Sequence, residues 1–142
     1  MREILFKAKR IDNGEWVEGS LIDLDIDSGY CYIVPPYKKA SILPINFLIT
    51  GRMELVASET LCQFTGLYDK NGKKIWENDI LMAHLDESYP EDATYETVEW
   101  GVAGFVTHEA GSTDREYFDE LDTEYFEVVG NIFDNKELLR EE

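Results

Sequence analysis

Short stretches in which apolar and polar residues alternate, separated by turn signals, recur along most of this 142-residue chain. In residues 4–9 and 22–27 the alternation has a period of two, which places successive side chains on opposite faces of a β-strand. Asp12-Asn13-Gly14 and Asp69-Lys70-Asn71-Gly72 consist largely of residues that tolerate turn backbone. The pattern predicts a mainly β protein built from hairpins.

Two further hairpin strands and two short helices are predicted in the second half. Residues 98–100 and 104–107 are typical of paired strands, with Gly101 and Gly104 in the turn between them. Residues 125–129 predict another strand. The expected helices are capped by Asp114, for a segment containing Tyr117, Phe118 and Leu121, and by Asp134, for residues 136–140.

The chain is long enough to bury one hydrophobic core without disulfides or metals. Hydrophobic residues make up 44% and aromatic residues 13% of the sequence, which excludes a disordered chain in spite of the 30% charged residues. We find no internal repeat and no linker. A single domain is therefore expected.

Negative charge is concentrated in one part of the sequence. The net charge is −17, and residues 86–127 contain 14 acidic residues against one basic residue, Arg115. A chain of this charge is repelled by phosphate, so direct nucleic-acid binding is not expected. The sequence shows neither a signal peptide nor an apolar run long enough to cross a bilayer, so no membrane association is expected.

The chain has two cysteines, Cys31 in the stretch YCY (30–32) and Cys62 in the stretch LCQF (61–64), both apolar settings. This setting favours free, buried thiols in a reducing cytoplasm, with a disulfide or a reactive thiol as the alternative.

Several stretches, in order along nearly the whole chain, resemble the YopX family of phage and prophage proteins. They are residues 2–8, the central run 63–80 (QFTGLYDKNGKKIWENDI), the pair 98–100 and 104–105, and residues 127–139. Two departures are small: Asn78 stands where the family more often has glycine, and Lys136 where it often has proline. Asn78 changes little, because asparagine also tolerates left-handed backbone.

The resemblance implies a fold and a setting but no chemistry. It implies one YopX-like domain over residues 1–142, with an N-terminal β-hairpin region at 1–58 and a barrel-like region at 59–142 that carries the C-terminal helix. A turn before a curved strand at residues 77–82 is similar to small SH3-like barrels, by analogy alone. The family has no assigned activity, and the implied location is the cytoplasm of the bacterial host.

We predict no catalytic, metal-binding or cofactor-binding residue, and no cofactor. His84 and His108 could bind zinc with Asp86 or Glu109, but no third nitrogen or sulfur ligand lies nearby in sequence. Residues 23–28 resemble the first half of a calcium loop, which lacks the required glycine and the final glutamate. A small hydrolase or metal-dependent enzyme remains an alternative.

The acidic segment 86–127 is the main candidate for a functional surface. The expected partner is a protein, with a basic host or phage protein and a second copy of this chain as the alternatives. A sharper hypothesis is that the carboxylates imitate the phosphates of DNA and occupy the groove of a host nucleic-acid-binding protein. The alternative is a solvated face that keeps the protein soluble. The candidate partner-binding residues are Glu116, Asp119, Glu120, Asp122 and Glu124.

Overall fold

The computed structural model confirms a mainly β protein and divides it into two compact units, Met1–Gln63 and Phe64–Glu142. No helix among the described residues is long and apolar enough to cross a membrane. The structure describes residues 3–23, 30–36, 53–83, 93–119 and 123–139.

The first unit is built on an antiparallel sheet. Its strands are β1 (Phe6–Lys9), β2 (Trp16–Ile22), β3 (Tyr30–Val34), β4 (Glu54–Ala57) and the first residues of β5 (Cys62–Tyr68). They lie in the order β4-β3-β2-β1-β5, so each of β1, β2 and β3 has a neighbour on both sides. A 3₁₀ turn at Ser58–Thr60 connects β4 to β5.

The predicted turn between β1 and β2 is confirmed. Gly14 has a φ of 72°, and its N–H donates to the carbonyl of Arg10 at 2.9 Å. The side-chain oxygen of Asn13 accepts the N–H of Glu15 at 2.9 Å. Glycine supplies the positive φ and asparagine the local hydrogen bond, as the sequence predicts.

The core of the first unit consists of Ala8, Cys31, Ile33 and Val56, each at most 1% exposed. Both cysteines are free and buried, which confirms the prediction for the thiols. Burial raises the pKa of the Cys31 thiol above its usual value, and the nearby carboxylate of Asp23 raises it further. Both effects disfavour the thiolate.

Because the thiolate is the reactive form, Cys31 and Cys62 are expected to react at least tenfold more slowly with a thiol reagent than cysteines in the unfolded chain. The measurement is the rate of labelling by a chromogenic disulfide at mildly alkaline pH, with and without urea. Cys31→Ser and Cys62→Ser variants assign the two rates. Equal rates in the folded and unfolded protein would contradict the burial of both thiols.

The second unit contains the remaining strands. They are β6 (Lys74–Trp76), β7 (Asp79–Ala83), β8 (Thr94–Trp100), β9 (Phe105–Glu109), β10 (Glu116–Tyr117) and β11 (Phe126–Asn131). Five form an antiparallel sheet in the order β10-β9-β8-β7-β11, and β6 pairs with β5. The predicted hairpin of β8 and β9 is confirmed, with the N–H of Gly101 donating to the carbonyl of Gly104 at 2.7 Å.

One cluster of buried side chains supports this sheet. Its members come from β6, β7, β8, β9 and β11, so the cluster joins strands that are far apart in sequence. Burial of apolar area at each position stabilises the unit by about 25 cal/mol per Å². The buried members are Ile75, Leu81, Ala83, Val98, Phe105 and Phe126.

The prediction of two short helices near the C-terminus is wrong. Tyr117 lies in β10, opposite Val106 of β9, because its pairing and packing in the sheet outweigh a short helical pattern. Residues Thr123–Tyr125 and Lys136–Leu139 form 3₁₀ turns. Segments this short form one turn, not a stable α-helix, because nucleation fixes several residues for a single hydrogen bond.

A closed barrel, implied by the family resemblance, is not found in the described part of the chain. Closure requires the outer strands of a sheet to pair with each other. Among the described residues, the outer strands of the second sheet are β10 and β11, and each has a single neighbour, β9 and β7, respectively. Since β10 has only two residues, it offers too little backbone to complete a barrel.

Candidate functional site

The central family run is held in place by one buried carboxylate. Asp69 is 6% exposed, and its Oδ1 accepts the N–H groups of Asn71 and Lys73, each at 2.9 Å. Its Oδ2 accepts the N–H of Val128 in β11, also at 2.9 Å. The carboxylate therefore ties the turn between β5 and β6 to a strand 59 residues further along the chain. Its role is structural.

A second tight turn of the same run joins β6 to β7. The carboxylate of Asp79, 2% exposed, accepts the N–H of Trp76 at 2.8 Å. Asn78 has a φ of 70°, which explains why this position suits asparagine or glycine. The Asn78 N–H donates to Val98, and its carbonyl accepts from Ile132. These residues position β7, β8 and β11.

One face of β8 and β9 carries a small charged cluster. The Nε of Arg115 donates to Glu99 at 2.9 Å, and the Nδ1 of His108 lies 3.6 Å from the other oxygen of the same carboxylate. The Nε2 of His108 contacts the carbonyl of Ser112. Arg115, the basic residue of segment 86–127, is thus paired with Glu99, and Glu127 of the same segment lies 4.0 Å from the Nζ of Lys70.

The opposite face of these strands carries more acid. Glu96 of β8 lies directly across from Glu109 of β9, and Glu116 of β10 pairs with Thr107, two residues from Glu109. The three glutamates line a cleft of about 360 Å³, to which Tyr117 and Tyr125 also contribute. We call this the acidic cleft. Like charges in opposed positions produce a strong local negative potential.

Of the described candidate residues, the structure places one in the acidic cleft. Glu116 lines the acidic cleft. Asp119 and Glu124 are exposed and are chain neighbours of Phe118 and Tyr125, whose side chains also line it. Glu120 and Asp122 lie outside the described residues. Glu96 and Glu109 were not predicted as members from the sequence, although the turn at Gly101 and Gly104 sets the register that places them opposite each other.

Among the described residues, no group of three or more histidine, cysteine, aspartate or glutamate side chains is placed so that it could hold a metal ion. His108 and Glu109, considered together above, are adjacent strand residues and so point to opposite faces of β9. His84, Asp86 and most of the calcium-like stretch lie outside the described residues.

Comparisons with known proteins identify a family and a fold. The model of the YopX protein family matches residues 5–140. The crystal structure of protein EF1440 from Enterococcus faecalis is similar over 99% of this chain and 100% of that chain, with a TM-score of 0.57 and 22% sequence identity. At this identity the likeness concerns the fold alone. A search of curated proteins found no match.

Proposed function

The chain belongs to the YopX family, and from this premise we propose that it is a phage or prophage accessory protein that works by binding another protein, not by catalysis. Its proposed location is the cytoplasm of the bacterial host. The partner is a basic protein of the host or the phage, and the acidic cleft with its bordering carboxylates is the binding surface.

The charge distribution is the observation that carries this proposal. Phe64–Glu142 contains 21 acidic and six basic residues, a net charge of −15, whereas Met1–Gln63 has a net charge of −2. Within the charged unit, β8, β9 and β10 direct three glutamates into one cleft beside exposed tyrosines. Carboxylates attract lysine and arginine, and tyrosine rings add contact area and cation–π attraction.

The chemistry of the other polar side chains supports binding over catalysis. The carboxylates of Asp69 and Asp79 are occupied by backbone N–H groups that hold turns. The ring of His108 contacts a backbone carbonyl and faces the carboxylate of Glu99, which Arg115 already binds. These groups have structural partners in the folded chain.

Replacing Glu116 and Glu124 by glutamine and Asp119 by asparagine is expected to weaken partner binding about tenfold at ~50 mM salt. The free energy of unfolding should change by less than about 0.5 kcal/mol, because the three side chains are exposed. The partner is captured from host lysate, identified and purified, and its affinity is measured by titration calorimetry at ~50 mM and ~200 mM salt.

The matched control removes three exposed carboxylates from the first unit, as Asp12→Asn, Glu15→Gln and Glu18→Gln. This control removes the same amount of negative charge and should bind within about twofold of the unmodified protein, because its substitutions lie outside the proposed surface. Binding that is insensitive to salt, or an equal loss in both triple variants, would contradict the proposed surface.

A more specific form of the proposal is a decoy that imitates DNA. The opposed Glu96 and Glu109 favour it, since directly opposite residues lie roughly 5 Å apart and form a dense line of negative charge. A duplex oligonucleotide should then displace the chain from its purified partner at ~50 mM salt. If the partner binds duplex DNA and this chain simultaneously, the decoy form is excluded and the general binding proposal stands.

A further inference from the structure

The turn between β8 and β9 exposes apolar side chains to solvent. Trp100 is 56% exposed, Val102 is 100% exposed and Tyr117, against the same turn, is 59% exposed. We call these three residues the hairpin tip. Exposed apolar side chains have an unfavourable hydration free energy, and neighbouring ones often mark a surface that another molecule covers.

Two of the three side chains of the hairpin tip pack against neighbouring residues of the unit. The ring of Trp100 packs edge-on against Phe105, with 4.8 Å between ring centroids, and Phe105 belongs to the core of the unit. The ring of Tyr117 lies against Gly101 and Gly104, where an added Cβ would come within 3.7 Å of it. Binding of a partner therefore causes little further loss of conformational entropy in the Trp100 and Tyr117 side chains.

Within the hairpin tip, Trp100 pairs with Phe105 and lies on the face of β8 and β9 that carries Glu96 and Glu109. Tyr117, opposite Val106, lies on the other face, so the acidic cleft borders the tip on its Trp100 side. Tryptophan and tyrosine are the residues most often found at the energetic centre of protein interfaces, with polar groups around them. Here the apolar centre is bordered by carboxylates. The arrangement is complementary to a partner surface in which basic side chains surround an apolar pocket.

We propose that the hairpin tip inserts into an apolar pocket on a basic protein partner, while the acidic cleft pairs with the lysine and arginine side chains around that pocket. The inference rests on the proposed function and adds to it an apolar anchor. Charge selects this occupant: a second copy would bring together two units of net charge −15, and an anionic lipid surface would repel the same unit.

Two synthetic peptides of equal length and charge test the anchor separately from the charge. One alternates lysine with leucine and the other alternates lysine with serine. The leucine peptide is expected to bind the full chain about tenfold more tightly at ~150 mM salt, because only its side chains can cover the hairpin tip. Fluorescence anisotropy of labelled peptides measures both affinities.

Val102→Ser and Trp100→Ser should each reduce the difference in affinity between the leucine peptide and the serine peptide. The double variant should bind the two peptides with affinities that agree within about twofold. Val102 contributes nothing to the core, so its substitution leaves the fold intact even if Trp100→Ser destabilises the hairpin. Ile11→Ser is the matched control, because Ile11 is an exposed apolar residue of the first unit. It should preserve the difference between the peptides.

Each failure has its own result. Equal binding of both peptides by the unmodified chain overturns the anchor and leaves the electrostatic proposal standing. Binding of neither peptide at ~50 mM salt contradicts the proposed function itself. A homodimer in sedimentation velocity that Val102→Ser dissociates would overturn the anchor, because a second copy would then cover the hairpin tip.

Discussion

Asp69→Ala is expected to lower the free energy of unfolding by about 3 kcal/mol. The carboxylate accepts three backbone N–H groups, and alanine leaves all three without their acceptor. An unsatisfied buried donor costs about 1–3 kcal/mol, and partial access of water keeps the total below the sum of the three. Asp69→Asn should have an intermediate effect, because an amide offers one oxygen where the carboxylate offers two.

Urea unfolding monitored by tryptophan fluorescence measures these losses, and Asp114→Ala is the control. Asp114 is exposed, so the control removes the same charge and should lower the free energy of unfolding by less than about 0.5 kcal/mol. Hydrogen exchange of the Val128 amide should also become faster in Asp69→Ala. If Asp69→Ala and Asp114→Ala unfold at the same urea concentration, the carboxylate does not tie the turn to β11.

Gly19→Ala is expected to cost about 2–3 kcal/mol in the first unit. A Cβ at Gly19 would lie 2.1 Å from the carbonyl oxygen of Val34 and 2.9 Å from the Cα of Pro35. Both are backbone atoms, so the strain cannot be relieved by moving a side chain. Strands β2 and β3 would have to separate, with the loss of packing that overfilled cores show.

Gly14→Ala is the matched control for this substitution. Its Cβ would meet nothing within 4 Å, but its φ of +72° is left-handed, which costs about 1 kcal/mol for alanine. Urea unfolding and the intensity of the far-ultraviolet β signal compare the two variants. A loss in Gly19→Ala no larger than in Gly14→Ala would show that β2 and β3 are not in such close contact.

Local signals predicted part of the candidate site. The glycines of the turn between β8 and β9 identified the hairpin, and their positions place Glu96 opposite Glu109. The acidic segment and Glu116, which lines the cleft, also follow from sequence. The hairpin tip was not predicted, because aromatic residues at such spacings are more often buried, and only the folded sheet leaves Trp100 more than half exposed.

The failed predictions have a common physical origin. The pattern around Tyr117 suits a helix, but the hydrogen bonds and packing offered by β9 outweigh weak local preference. The sequence predicts the turn that Asp69 holds, but not the hydrogen bond that its carboxylate accepts from the N–H of Val128, because those residues are 59 positions apart. Such contacts depend on how the strands assemble, so they cannot be predicted from the pattern of residues within one strand.

The amino-acid sequence by itself determined most of the strands, the tight turns and the sign of the charge, because alternation, glycine or asparagine backbone and ionised carboxylates act over a few residues. The tertiary structure alone decided which carboxylates share a cleft, which buried acid holds distant strands and which aromatic rings face solvent. Those outcomes follow from strand order and register, which are set by burial of the common core.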